Sequence, residues 1–264
     1  MTISYSPSAN SQLSSSEWAK FQRALEDRAA LKIISGLTNF DDRNVADVVQ
    51  AAQHGGATFV DIAADAKLIR QVRNLIDLPI CVSAVDPEQL AAAVEAGADL
   101  IEIGNFDSFY SQGRRFEGPE VLALTQRTRA LLPNIVLSVT VPHILALDAQ
   151  VQLADALVAA GADIIQTEGG TSSAPAHGGT LGLIEKAAPT LAAAHAISHA
   201  VSVPVLCASG LSDVTAPMAL AAGAAGVGVG SAVNQLNDPL AMVAVVRSLV
   251  EAMQSRKAAK TAVH

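Results

Sequence analysis

VEAGADLIEI (94–103) decides how this chain is read. An alanine-rich helical stretch stops at Gly97, and an apolar, β-rich run starts two residues later. Glycine just past a helix end takes the left-handed conformation that closes the last turn. The same device recurs in AQHGGATFVDI (52–62), VAAGADIIQ (158–166) and LAAGAAGVGV (220–229). Each ends a helix at a glycine and enters a strand, and such recurrence marks βα units.

Working outward, short β-rich runs alternate with helical periods along the chain. The strand candidates are 31–35, 58–62, 80–84, 99–104, 135–140, 163–167, 204–209 and 226–230. Helical stretches near 42–54, 65–75, 87–96, 118–131, 146–160, 181–200, 212–222 and 239–254 follow them, and one near 17–28 precedes them. Eight βα units in about 230 residues have the size and order of a (β/α)8 TIM barrel. An open, doubly wound sheet is the alternative, but the first βα turn, SGLTNFDD, carries no GxGxxG. The expected organisation is an α/β barrel over 17–255 with an extra N-terminal helix, between flexible tails at 1–16 and 256–264.

Composition narrows the function. The 264 residues are 50% apolar and 3% aromatic, with a net charge of −8. An acidic chain without a basic stripe is not expected to bind nucleic acid. No apolar run of membrane-spanning length is free of Gly, Pro or polar breaks. The first 16 residues hold seven serines and no Lys or Arg, unlike a secretory signal. Cys81 and Cys207 form no CxxC, which suits a reducing compartment. No spacing resembles a zinc site, so no metal is expected. The apolar final helix, AMVAVVRSLVEAM (241–253), can pack on the barrel or pair with another subunit as a homo-oligomer.

AGVGVGSA (225–232) places Gly226, Gly228 and Gly230 on one side of the eighth strand. Glycine weakens a strand, so something nearby needs room. The glycines either let neighbouring elements pack closely or let a ligand approach. The seventh strand ends in Ser209-Gly210, ahead of a helix expected near Ser212. Loops after strands 7 and 8 commonly form a phosphate site, because backbone N–H groups at glycine turns and helix starts point at an anion. Ser209, Gly210, Gly230 and Ser231 are therefore the candidate binders of a small phosphorylated molecule.

Reactive groups in such a barrel come from the C-terminal strand ends. Lys32 and Glu102 sit inside otherwise apolar runs, where a charge must be paired or functional. A Lys–Glu pair could move protons, Lys32 could form a Schiff base, or the two could fill the barrel floor as an ion pair. Asp61 ends the second strand as a candidate base or a loop anchor. Asn105 follows the fourth strand and His143 the fifth, both at the substrate end. TEGGTSSAPAHGGTLGLIE (167–185) is long for a βα loop and is expected to bind or cover substrate through Gly169, Gly170 and Thr171. Glu168 and His177 are expected there as an acid–base pair. GNFDSFYSQGRRF (104–116) gathers aromatics with Arg114 and Arg115, as a lid whose arginines grip an anion or as an interface.

LKIISGLTNFD (31–41), GGATFVDIAAD (55–65), LPICVSAV (78–85), VEAGADLIEIGNFDSFYSQGRRF (94–116), LSVTVPH (137–143), GADIIQTEGGTSS (161–173), HGGTLGLIEKAAPTLAAA (177–194) and VPVLCASGL (203–211) together resemble the Ycf23 family. That resemblance spans Leu31 to about Met253. It implies an aldolase-type barrel and a cyanobacterial cytosol or plastid stroma, with no settled activity. A second, partial resemblance, over 163–232, is to FMN-dependent nitronate monooxygenases; it implies FMN phosphate at loops 7 and 8 and matches His177 to a catalytic histidine, although TSSAPA is inserted before it. Three functions are therefore carried forward: lyase- or isomerase-type chemistry on a phosphorylated metabolite, FMN redox chemistry, and a non-catalytic sensor or docking barrel.

Overall fold

Gly97 (φ +109°) and Gly161 (φ +98°) take the left-handed conformation just past their helix ends, where any Cβ would be strained. A computed structural model describes residues 11–169 and 173–261, with side chains through Ser255. Helix α1 (Ser15–Glu26) leads into β1 (Ala30–Ile34). The chain continues through α2 (Asp42–Gly55), β2 (Phe59–Ala63), α3 (Ala66–Arg73), β3 (Ile80–Ala84), α4 (Pro87–Glu95) and β4 (Leu100–Ile103). A one-turn helix α5 (Asp107–Tyr110) then precedes α6 (Gly118–Leu131), β5 (Val136–Thr140), α7 (Leu147–Ala159) and β6 (Ile164–Gln166). Last come α8 (Gly179–Ser198), β7 (Val205–Ala208), α9 (Ala216–Ala222), β8 (Gly226–Val229), α10 (Ser231–Asn234) and α11 (Pro239–Thr261).

The eight strands pair in parallel, each with its sequence neighbour, and β8 closes on β1. All eight expected strands are therefore present, in a (β/α)8 barrel. Two boundaries differ. Helix α1 starts at Ser15, capped by the Ser14 side chain, and α11 continues past Arg256, where a tail was expected. Among the described residues no helix is long and apolar enough to cross a membrane.

Strand alternation sorts the interior into layers. The lowest holds Ala30, Phe59, Cys81, Leu100, Val136, Ile164 and Leu206, and α1 closes that end with Trp18, Phe21 and Leu25. Two residues further along, the same strands present Lys32, Asp61, Ser83, Glu102, Ser138 and Gln166, all buried. Outward-facing residues such as Leu31, Ile33, Val60 and Val227 pack under the helices. Helix α11 lays Met242, Val246, Leu249 and Met253 into that outer core, so its apolar face is spent on the barrel. Gly55 makes this close approach feasible, since a Cβ there would fall 2.4 Å from Val246.

The eighth-strand glycines answer to different neighbours. A Cβ at Gly226 would meet the Ala30 carbonyl oxygen at 2.4 Å, so this residue lets β8 close against β1. At Gly228 a Cβ would lie 2.9 Å from Ala208 Cβ and 3.5 Å from Gln166 Oε1, inside the barrel.

Candidate active site

The middle layer is one polar network. Lys32 Nζ donates to Glu102 Oε2 at 2.7 Å and to Asp61 Oδ2 at 3.1 Å. Ser83 Oγ donates to Asp61 Oδ1 at 2.6 Å, and Ser138 Oγ to Glu102 Oε2 at 2.8 Å. Gln166 Nε2 donates to Glu102 Oε1 at 2.7 Å and to Thr140 Oγ1 at 3.2 Å. Asn105 Nδ2 reaches down to Ser83 Oγ at 2.9 Å. The strands are buried on both faces, so each charge must find its partner within the barrel. Gly104 admits Thr140 to this network, since a Cβ there would overlap its side chain.

Of the roles open to Lys32, these contacts match the buried ion pair. Burial opposes its charge, yet the Glu102 and Asp61 carboxylates outweigh burial and raise its pKa above the ordinary lysine value. The two carboxylates favour the ammonium form of Lys32 over the neutral amine that Schiff-base chemistry needs. Burial pushes the Glu102 carboxyl up, against the pull of Lys32. The network is a charged platform beneath the site.

A cavity of about 170 Å³ opens above it, at the C-terminal strand ends. Its lining includes Asn105, Asp107, Gln166, Glu168, Ser209, Gly210, Gly230 and Ser231, from four βα units. Asn105 (φ +59°), Ser209 (φ +77°) and Gly210 (φ +74°) are all left-handed. Non-glycine residues held this way store strain, which concentrates at functional sites. Asn234 Nδ2 ties α10 to the Ile34 and Ser35 carbonyls, fixing the Gly230–Ser231 turn against β1. Helix α9 starts at Ala216, one turn later than expected, after a turn in which the Ser212 N–H donates to Thr215 Oγ1. The groups lining the cavity on this side are therefore those of the Ser209–Gly210 turn and the Gly230–Ser231 start of α10. Ser209 Oγ itself donates to Asp107 Oδ2 at 2.9 Å.

Glu168, 4% exposed, is the most connected carboxylate at the mouth. Its Oε1 accepts from Tyr110 Oη at 2.6 Å, the His143 N–H at 3.2 Å and His143 Nδ1 at 3.1 Å. Its Oε2 accepts from the Asp107 N–H at 3.3 Å. His143 Nδ1 also lies 3.3 Å from Asp107 Oδ1. Burial pushes the Glu168 carboxyl up, ahead of the lowering bond from His143. For His143, burial opposes protonation, but the Glu168 bond and the two carboxylates prevail and raise its pKa. Burial beside Glu168 also raises the Tyr110 hydroxyl. Gly169 keeps this corner tight, since a Cβ there would meet Pro189 at 3.2 Å and His143 at 3.5 Å. Asp107, His143 and Glu168 offer ligand atoms within 4.8 Å of one another, as do Asp61, Cys81 and Glu102, where the Lys32 ammonium already stands.

Several expected roles change. His177 is exposed, and its Nδ1 meets Glu185 Oε1 at 2.6 Å; Glu168 pairs with His143 instead. Arg114 is engaged by Glu120 and lies over the Phe116 ring, while Arg115 is exposed; neither lines the cavity. Phe106 and Phe116 stack at 4.5 Å in the core, so the loop after β4 spends these aromatics internally. Gly170 and Thr171 lie outside the described residues. Sequence reasoning missed Asp107 and the role of Tyr110; a carboxylate and a tyrosine three residues apart, just after the fourth strand, were the available signal.

The family model "Protein of unknown function (DUF561)" matches residues 15–259. "Uncharacterized protein ycf23" of Pyropia yezoensis is 39% identical over 234 residues, covering 89% of this chain and 86% of its own. The Cyanophora paradoxa protein of that description is 42% identical over 231 residues, covering 87% and 95%. Among solved structures, thiamine phosphate pyrophosphorylase from Pyrococcus furiosus is similar, with a TM-score of 0.56 at 18% identity over 88% of this chain and 98% of that one. The 3-hexulose-6-phosphate synthase structure superposes with a TM-score of 0.59 at 18% identity, covering 85% and 99%. At these identities the structural likenesses establish the fold.

Proposed function

The chain belongs to the Ycf23 family, the group matched by the DUF561 model, and we propose that it is an enzyme acting on a small phosphorylated metabolite by proton transfer or carbon–carbon bond chemistry. One observation carries this reading. A single cavity is lined by the left-handed Ser209–Gly210 turn, by the Gly230–Ser231 start of α10, and by the buried carboxylate Glu168. The first two supply backbone N–H groups for a phosphate. The third supplies a group able to exchange a proton with carbon, and its raised pKa brings it toward working pH. The names of both structural neighbours include a phosphorylated compound, which favours the same class.

Each residue has a defined role on this reading. Glu168 takes a proton from carbon next to a carbonyl, and the electron pair left behind moves onto the carbonyl oxygen. His143 and Tyr110 hold the Glu168 carboxylate and balance its charge. Asp107 orients Ser209 and His143. Lys32, Asp61 and Glu102 act from below as positioning residues, through Asn105 and Gln166. The setting we propose is a plastid stroma or a cyanobacterial cytosol. The FMN alternative shares the β7 and β8 loops, but His177, which would carry its chemistry, stands outside the cavity lining. Purified protein that is colourless and takes up no FMN rejects it.

The test is proton exchange in deuterated water, followed by NMR, with a panel of phosphorylated hydroxycarbonyl compounds. Exchange at the carbon next to the carbonyl is expected with wild-type protein, inhibited by inorganic phosphate and lost in Glu168→Gln. Wild-type protein that exchanges none of them, or a Glu168→Gln variant as active as wild type, contradicts the assignment.

A further inference from the structure

Gln166 is 1% exposed, and one end of its amide is fully used. Nε2 must face Glu102, because a carboxylate only accepts, and that contact fixes which amide atom points where. Oε1 is then a buried acceptor with no hydrogen-bond partner among the described residues. It turns toward Gly228, where a Cβ would stand 3.5 Å away. Gln166 and Gly228 both line the cavity that holds Gly210, Gly230 and Ser231. On the reading above one part of that cavity binds a phosphate, while another presents a bare acceptor beside Gly228, which has no side chain to cover it. Buried acceptors are costly unless a donor meets them.

We propose that the ligand of this cavity is a phosphate monoester of a short hydroxycarbonyl compound, one of whose hydroxyls donates a hydrogen bond to Gln166 Oε1. This deepens the reading above and rests on it, since the phosphate end is the one proposed there. An anion is excluded from the Oε1 position because an acceptor repels it. An apolar group there leaves the amide oxygen unmet. The cavity volume of about 170 Å³ suits a chain of a few carbons. Gly228 gains a second purpose: besides accommodating Ala208, it keeps the approach to Oε1 open.

Calorimetric titration with matched probes tests this. Inorganic phosphate and propyl phosphate report the anion end alone, and glycerol 3-phosphate adds hydroxyls to the same carbon skeleton. Wild-type protein is expected to bind glycerol 3-phosphate about three- to tenfold tighter than propyl phosphate, the range of one net hydrogen bond. Gln166→Met removes the acceptor and is expected to abolish that preference. Gly228→Ala keeps the Gln166 amide, places a methyl in front of Oε1 at the cost of a close approach to Ala208, and is expected to do the same, so either variant that folds tests the proposal. Equal binding of the two esters by wild type, or a preference that survives in a folded variant of either kind, overturns the proposal and leaves the phosphate reading standing. Tighter binding of O-phosphoethanolamine than of glycerol 3-phosphate overturns the hydroxyl class. Failure of wild type to bind inorganic phosphate or either ester overturns the phosphate reading and this inference with it.

Discussion

Lys32, Asp61 and Glu102 form a buried cluster in which the ammonium answers two carboxylates. Removing one partner from such a cluster strands the others in low dielectric. Lys32→Met is therefore expected to lose about 3–5 kcal/mol in urea unfolding. Adding Asp61→Asn and Glu102→Gln restores much of it, and a triple variant no more stable than the single one argues against this account. His143 makes a pH prediction. Its folded pKa is raised above 6.5, so its contribution to stability is complete below that value and is lost as pH rises through the folded one. Thermal unfolding of wild type should fall with pH above about 6.5 more steeply than that of His143→Gln. Parallel curves would show that the Glu168 contact contributes nothing on folding. At this scale the sequence was partly legible. Lys32 and Glu102 stand out as charges inside apolar runs, whereas the His143–Glu168 pair depends on β5 lying beside β6, a relation no local pattern states. His177 lies inside the suspected loop with Glu168, which is why it was expected in the role His143 fills.

Elements divide between closure and display. Helix α1 plugs the N-terminal end of the barrel with Trp18, Phe21 and Leu25. Phe21→Ala is expected to cost about 3–5 kcal/mol and to red-shift the emission of Trp18, the chain's single tryptophan. Unchanged emission would mean that α1 closes the floor without Phe21. Strand β8 closes the barrel through Gly226. The overlap with Ala30 predicts that Gly226→Ala costs about 1–3 kcal/mol, measured by urea unfolding, and a neutral effect would contradict that close approach. Strand positions were readable because each is a short run buried on both faces and bounded by the helix-ending glycine. The loop after β4 was not: its phenylalanines look like a lid in sequence, and only the stacking of Phe106 on Phe116 shows them holding α5 in place. With α5 held, Asp107 and Tyr110 can reach Glu168.

At the scale of the whole molecule, the apolar plug and the polar cavity lie at opposite ends of the barrel. The N-terminal end is sealed by apolar side chains. The C-terminal end carries the polar platform, the strained turns and the acidic mouth. The molecule also supplies its own control, a larger cavity of about 460 Å³ beside Arg28 and His199, at the start of β7 and away from the platform. Titrating inorganic phosphate into isotope-labelled protein and following the amide resonances tests the central claim most directly. The account predicts saturable shifts at Gly210, Gly230 and Ser231. Shifts confined to the Arg28 and His199 cavity, or none at those three amides, would contradict it.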